Sequence, residues 1–365
     1  MNEAPLTEWV DVLEALLAGE SLNAPTTQWV MAEILTGGAP DASTAAFLVA
    51  LRSKGETPSE VAGLVAGMMA ASVPLEVEGP VVDTCGTGGD RAHTVNISTM
   101  AAVVAAAAGA RVAKHGNRAA SSQSGSADML EALGVAIDLP AAAAGEAGRE
   151  LGITFCFAPV FHPAMRHIGP IRRELGIRTV FNVLGPLANP AHPQAQVLGV
   201  PNPAIGELMA GVLAERGTKA LVVHGGDGLD ELTVFAPSRV WDLTGRAPRA
   251  ATIDPAALGI PVPAADALRG GGPARNAAIF RRLLDTPDDP AVAGLRDAVC
   301  LNAAAALVAY AAAGGALPTA LPDAEVELGQ RMAAAMPAAR AALDGGAARS
   351  LLDRWITTSK ELAER

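Results

Sequence analysis

Residues 83–126 run D-T-C-G-T-G-G-D-R-A-H-T-V-N-I-S-T from Asp83, cross an alanine-rich segment, and end in K-H-G-N-R-A-A-S-S-Q-S-G-S from Lys114 to Ser126. The apolar pair Val81-Val82 predicts a strand that runs into the glycine-rich turn Gly86-Thr87-Gly88-Gly89-Asp90. A helix is expected to start near Asn96-Ile97-Ser98-Thr99 and to continue through Met100 to about residue 108. Glycines let a backbone approach a ligand closely, and the free N–H groups of a helix start favour negative charge. After a short strand at 111–113 comes a second loop carrying Lys114, His115, Arg118 and four serines. Two anion-friendly loops at adjacent strand ends fit a ligand with phosphates at both ends. Two common phosphate signatures are absent. The dinucleotide fingerprint meets Arg91 where its third glycine belongs, and no G-x-x-x-x-G-K-[S/T] occurs.

Outward from this stretch the chain alternates strand, loop and helix. Strands are expected at 81–84, 111–114, 152–157, 196–200 and 219–224, with helices at about 97–108, 126–133, 141–150 and 203–216. Such alternation implies an α/β fold with a mainly parallel central sheet covered by helices, whose ligands sit at the carboxyl ends of the strands. Both opening loops and the loop His224–Glu231 fall at those ends. Residues 6–72 read as purely helical instead: Trp9, Leu13, Leu16 and Leu17 recur at helical spacing, Asp41 can cap a third helix, and Thr57-Pro58-Ser59-Glu60 is a capping box. The proline-rich segment 159–195, with a short helix at 170–175, reads as a return into this helical domain. A small all-helical domain of residues 1–75 with 165–195 is therefore expected beside a large α/β domain of 76–164 with 196–365. Beyond 232 come strand-like pieces to 242, a Pro/Gly-rich stretch to 273, and helices at roughly 274–284, 292–314, 323–343 and 347–363.

Half of the 365 residues are apolar but only 3% are aromatic, so a large core must be aliphatic. A net charge of −11 disfavours a nucleic-acid partner, which needs a broad basic footprint. Cys85, Cys156 and Cys300 are odd in number and scattered, which gives no disulfide framework or zinc spacing and points to a reducing compartment. The first residues lack a basic-then-apolar signal, and the apolar runs 100–110 and 303–316 fall short of the roughly 20 residues of a membrane span. The expectation is a cytoplasmic protein without a membrane partner.

Asp230-Glu231, with Asp227 nearby, places carboxylates on a glycine-flexed loop. Such hard oxygens suit Mg²⁺, which binds through one or two carboxylates plus substrate phosphates; alone, the same residues would read as an exposed acidic turn. Lys114 and Arg118 would neutralise phosphate charge, and Ser121, Ser122 and Ser126 would donate hydrogen bonds to its oxygens. Arg166, Arg172, Arg173 and Arg178 crowd one short stretch. A guanidinium fork suits a carboxylate, and three of these four are expected to be structural or solvated. Cys85 reads as a packing residue and His115 as a phosphate contact through its main chain. Neither shows a partnered base, so no covalent catalytic residue is expected.

These motifs resemble the anthranilate phosphoribosyltransferases of tryptophan biosynthesis. The resemblance rests on Gly86-Thr87-Gly88-Gly89-Asp90, Asn96-Ile97-Ser98-Thr99 and Lys114-His115-Gly116-Asn117-Arg118 with Ser121-Ser122. It continues through residues 178–190 (R-T-V-F-N-V-L-G-P-L-A-N-P), residues 224–231 (H-G-G-D-G-L-D-E), and Gly270-Gly271 followed by Asn276. It implies transfer of the phosphoribosyl group of 5-phosphoribosyl 1-pyrophosphate to the amine of anthranilate. The products would be N-(5-phosphoribosyl)anthranilate and pyrophosphate. Gly86, Gly89, Asp90, Thr94, Asn96, Ile97, Ser98 and Thr99 would surround the donor. So would Lys114, His115, Gly116, Asn117, Arg118, Ala119, Ala120, Ser121, Ser122 and Ser126. Arg172, Asn117 and the Gly86 backbone would contact anthranilate, with Pro159, His162 and Met165 along its entry path. Asp230, Glu231 and Ser98 would hold Mg²⁺, two ions per active site, and the helical domain would form a homodimer. A pyrimidine nucleoside phosphorylase of the same fold would carry a different lysine–serine loop. A nucleic-acid-binding relative would be basic and lack the acidic pair, and a helical scaffold with a vestigial pocket would not keep both loops intact.

Overall fold

Thr57 receives the backbone N–H of Glu60 on its hydroxyl, while the Glu60 carboxylate accepts the Thr57 N–H at 2.8 Å. This reciprocal cap opens one helix of a computed structural model that describes residues 4–119 and 122–365. Ala120 and Ser121, both expected around the donor, lie outside the described residues. The chain divides into two units, residues 1–74 with 158–190 and residues 75–157 with 191–365. The second helical stretch thus begins at 158 and ends at 190, where the sequence reading placed it at 165–195.

The first unit is all helical. Its first stretch holds α1 (Trp9–Leu17), α2 (Ala24–Thr36), α3 (Asp41–Lys54) and α4 (Pro58–Ala70). Asp41 is the first residue of α3 rather than its cap; Pro40 holds the cap position, with no side-chain bond. A β-carbon at Gly63 would strike Thr27 and the Ala24 carbonyl, so this glycine lets α4 lie close on α2. Trp9 packs on Trp29 with ring centroids 5.6 Å apart and on Phe47 at 6.3 Å, tying α1 to α2 and α3.

The second unit carries α5 (Ile97–Ala107), α6 (Ser126–Leu133) and α7 (Ala141–Leu151) between its first strands. The first unit's second stretch follows, with α8 (Ala158–Phe161), α9 (Gly169–Leu175) and α10 (Phe181–Leu187). The second unit resumes with α11 (Pro203–Glu215), α12 (Pro273–Asp285), α13 (Ala293–Ala312), α14 (Leu328–Asp344) and α15 (Ala347–Ala363). Among the described residues its seven strands are β1 (Val82–Gly86), β2 (Val112–Gly116), β3 (Ile153–Phe157), β4 (Ala195–Gly199), β5 (Lys219–Gly225), β6 (Ser238–Asp242) and β7 (Arg249–Ile253). The order is β3-β2-β1-β4-β5-β6-β7, parallel from β3 to β5 and antiparallel at β6 and β7. Strands β3 and β4 are short and buried at every position, as a sheet with both faces covered requires. The edge strand β7 falls in the stretch read as Pro/Gly-rich loop, because R-A-A-T-I offers one bulky apolar residue and little alternation.

Alanine dominates α5 and α13, and this lets the two helices pack closely in place of aromatic filling. The sequence reading placed every apolar run below membrane-spanning length. The helical stretch Pro290–Ala312, α13 with the 3-10 turn before it, is long and apolar enough by that test, yet 78% of its apolar window is buried against the protein, as befits a core helix. It packs on β1, β4, β5 and α14.

Candidate active site

Strand β1 is flanked by β2 on one side and β4 on the other: the chain runs outward from β1 through β2 to β3 and then crosses to β4, so the strand order reverses at β1. The crevice outside the carboxyl ends at such a switch point is where open α/β sheets bind ligands. Two glycines end these strands in register, Gly86 of β1 opposite Gly199 of β4. A β-carbon at Gly199 would collide with the backbone carbonyl of Asp230, and one at Gly86 with its carboxylate. The acidic loop after β5 therefore rests directly on the two bare strand tips.

The turn after β1 is held in a ligand-ready shape. Thr87 donates its N–H to the Gly199 carbonyl at 2.9 Å, and Gly88 and Gly89 adopt φ of 71° and 91°. Arg91, with φ of 59°, also occupies the left-handed region, where glycine is at ease and arginine is not. The Gly88 N–H donates to Asp230 Oδ2 at 2.6 Å, and the Ser98 N–H, in the first turn of α5, donates to Glu231 Oε1 at 3.2 Å. The protein's own carboxylates thus sit on an amide of the glycine turn and on that of Ser98, which the sequence reading assigned to the donor.

Both acids carry raised pKa values. Asp230 is lifted first by burial and then by the neighbouring Asp90 charge. Glu231 is lifted first by burial and then by Asp230, with Lys114 pulling the other way. Lys114 is 1% exposed and donates to the Thr84 carbonyl and, at 3.5 Å, to the Ser98 hydroxyl. It lies under the acids as a fixed counter-charge, inward of the place the sequence reading gave it. Crowded, poorly solvated carboxylates beside a serine hydroxyl are a donor set that a hard divalent cation relieves. Among the described residues no three His, Cys, Asp or Glu side chains form a ready-made cage. Mg²⁺ is such a hard cation: it binds through one or two carboxylates, keeps waters and completes its shell with substrate phosphates. Asp227 serves the turn itself, accepting the Thr233 hydroxyl at 2.7 Å and the Leu229 N–H.

The second loop departs from the sequence reading in two places. Arg118 was expected to face phosphate, but its guanidinium forks onto Glu131 at 2.7 and 2.9 Å, reaches Asp128 at 3.2 Å and lies over the Phe157 ring. The His115 N–H, expected to hold phosphate, donates instead to Asp83 Oδ1 at 3.1 Å, and the ring is buried. Asp128 shapes the loop: its Oδ2 accepts the N–H groups of Ala119 and Gly125, both at 2.8 Å. Burial alone would raise its pKa, and these amides with Arg118 outweigh that and hold it low. Gly116 closes against Ser126, whose hydroxyl reaches the Asn117 carbonyl at 3.4 Å, while Ser122 is exposed. In the first loop, Ile97 and Thr99 bury their side chains, leaving only main chain for a ligand, and Thr94 bridges to Arg269. Cys85 is a packing residue: its sulfur accepts from Gln196 Nε2 at 3.3 Å, and burial, then Asp83, raises its pKa.

Arg172 belongs to the helical unit, in the last turn of α9, stacked over Phe181 with 5.5 Å to the ring centroid and half-buried. Pro159 is exposed and Met165 half-buried in the same unit. His162, expected along an entry path, is instead buried, with Nε2 2.7 Å from the Ala188 carbonyl. Gly199, Asp128 and Asn276 organise the site without having been given roles from sequence; only Asn276 carried a signal, through its place after Gly270-Gly271.

Residues 10–72 match the helical bundle domain, and residues 78–349 the a/b domain, of a glycosyl transferase family. An anthranilate phosphoribosyltransferase from Nocardioides sp. is 52% identical over 97% of this chain and 99% of its own. The crystal structure of anthranilate phosphoribosyltransferase from Thermus thermophilus superposes with a TM-score of 0.85 at 42% identity, covering 96% of this chain and 99% of that one. The enzyme from Saccharomyces cerevisiae, solved in complex with PRPP and Mg, gives a TM-score of 0.83 at 25% identity, covering 97% and 98%. With the fold, the loops and these relatives in agreement over nearly its whole length, the chain belongs to the anthranilate phosphoribosyltransferase family.

Proposed function

We propose that this chain transfers the phosphoribosyl group of 5-phosphoribosyl 1-pyrophosphate to the amino group of anthranilate. The observation that carries this reading is the acidic pair Asp230-Glu231, set against the glycine turn and the start of α5 at the sheet's switch point. The anthranilate nitrogen attacks C1 of the ribose, the bond from C1 to pyrophosphate breaks, pyrophosphate leaves with the electron pair, and the amine proton passes to solvent. An arylamine is uncharged at neutral pH, so its attack needs no strong general base. Positioning and electrostatics supply the acceleration.

Asp230, Glu231 and the Ser98 hydroxyl are the residues that would hold Mg²⁺, at two ions per site, and the cation supplies charge neutralisation on the departing pyrophosphate. Gly86, Gly89, Asp90 and Thr94, the start of α5 from Asn96 to Thr99, and residues 116–122 with Ser126 bind the donor. Arg172 takes the anthranilate carboxylate, with Asn117 and the Gly86 backbone as further contacts. Val10, Leu17 and Val49 are exposed apolar residues on α1 and α3, which supports a homodimer through the helical unit. Three buried free cysteines support a reducing cytoplasm. The test is loss of anthranilate fluorescence in the presence of the donor and Mg²⁺. Turnover that needs both is expected; no turnover, or turnover unaffected by chelation, would overturn the reading.

A further inference from the structure

Asn276 lies in the first turn of α12, 180 residues beyond Asn96 and only 1% exposed. Its oxygen accepts the Gly271 N–H at 2.8 Å, and its amide nitrogen donates to Asn96 Oδ1 at 2.9 Å. The amide nitrogen of Asn96 in turn donates to the Ser124 carbonyl at 3.0 Å. The relay begins at a backbone N–H, which can only donate, and ends at a backbone C=O, which can only accept. Both side-chain amides between them therefore have a single consistent orientation. Asn96 precedes α5 at the first anion loop, and Ser124 belongs to the second. The segment that delivers Asn276 is itself fastened to the first loop. Gly270 donates to the His93 carbonyl at 2.9 Å, Val95 donates to the Leu268 carbonyl at 3.0 Å, and a β-carbon at Gly270 would collide with the Thr94 carbonyl.

We propose that Asn276 is a positioning residue for the ribosyl donor: it fixes the Asn96 amide and through it locks the two donor-binding loops to each other. The inference rests on the donor-binding reading above and extends it to a residue that touches no substrate. Asn276→Asp keeps the shape and still accepts the Gly271 N–H, but sets an oxygen against Asn96 Oδ1. Turning the Asn96 amide over would only move the clash to the Ser124 carbonyl. One partner of a buried polar relay is thereby left unsatisfied.

The experiment is calorimetric titration of 5-phosphoribosyl 1-pyrophosphate with Mg²⁺ into wild type and Asn276→Asp, alongside steady-state kinetics for each substrate. The donor Kd is expected to weaken about tenfold or more, as an unsatisfied buried group implies, while the anthranilate KM at saturating donor stays within about twofold. Amides of residues 122–126 are expected to exchange with solvent faster in the variant. An unchanged donor Kd, or equal rises for both substrates, overturns the inference. Should the aspartate variant not fold, Asn276→Ala carries the same comparison. Wild type that binds no donor would overturn the functional reading together with the inference, whereas wild-type binding with an unaffected variant removes the inference alone.

Discussion

Asp230 reaches back 142 residues to accept the Gly88 N–H at 2.6 Å, so a metal-loop carboxylate occupies an amide of the glycine turn. Burial and the Asp90 and Glu231 charges around it make the unliganded arrangement electrostatically costly. Asp230→Asn combined with Glu231→Gln is therefore expected to raise the melting temperature without metal, abolish the upward shift that Mg²⁺ and donor give wild type, and eliminate turnover. Scanning calorimetry with and without Mg²⁺ checks this; a variant still stabilised by Mg²⁺ would remove these acids as ligands.

Gly199→Ala places a methyl group where the Asp230 carbonyl lies. The acidic loop has to move, and a misplacement on the order of 1 Å costs about a hundredfold in rate. A fall of that order in kcat/KM is expected, with a stability loss of about 1–3 kcal/mol from overpacking. Kinetics and denaturant melts measure the two separately, and unaltered kcat/KM would show that the loop does not depend on the bare strand tip.

Arg172→Ala is expected to raise the KM for anthranilate by on the order of tenfold or more, the value of a charge-assisted pair, and to leave the donor KM nearly unchanged. Equal effects on both substrates would refute the assignment.

His162 gives the helical unit a pH dependence. Burial lowers its pKa below 6.5, and the Ala188 carbonyl only partly offsets this, so the folded chain prefers the neutral ring. The unfolded chain takes up its proton at the ordinary value. The contribution is thus full above that value and is lost as pH falls through it toward the depressed folded pKa. Between about pH 7.5 and 5.5, the melting temperature of wild type is expected to fall more steeply than that of His162→Gln. Parallel slopes would clear this ring of the effect.

What the sequence made legible was what is written locally. The capping box at Thr57–Glu60, the glycines after β1 and the short parallel strands each follow from residues within one turn or one strand. Pairings between distant side chains leave no periodic mark. The Asp83–His115 and Arg118–Glu131 bonds divert two residues that a reading by residue type sends to phosphate. Asn276 was marked by its place after Gly270-Gly271, but its pairing with Asn96 was not, since only folding brings α12 to the start of α5.

The helical unit is assembled from residues 1–74 and 158–190. During synthesis its first four helices leave the ribosome well before α9, which packs on α3, and α10, which packs on α4. Those helices must wait, with apolar faces uncovered, while β1, β2 and β3 are translated. Completion of the smaller unit is thereby delayed until the first three strands of the larger one have emerged, and a chain released before that would carry a half-built bundle open to aggregation or chaperone capture.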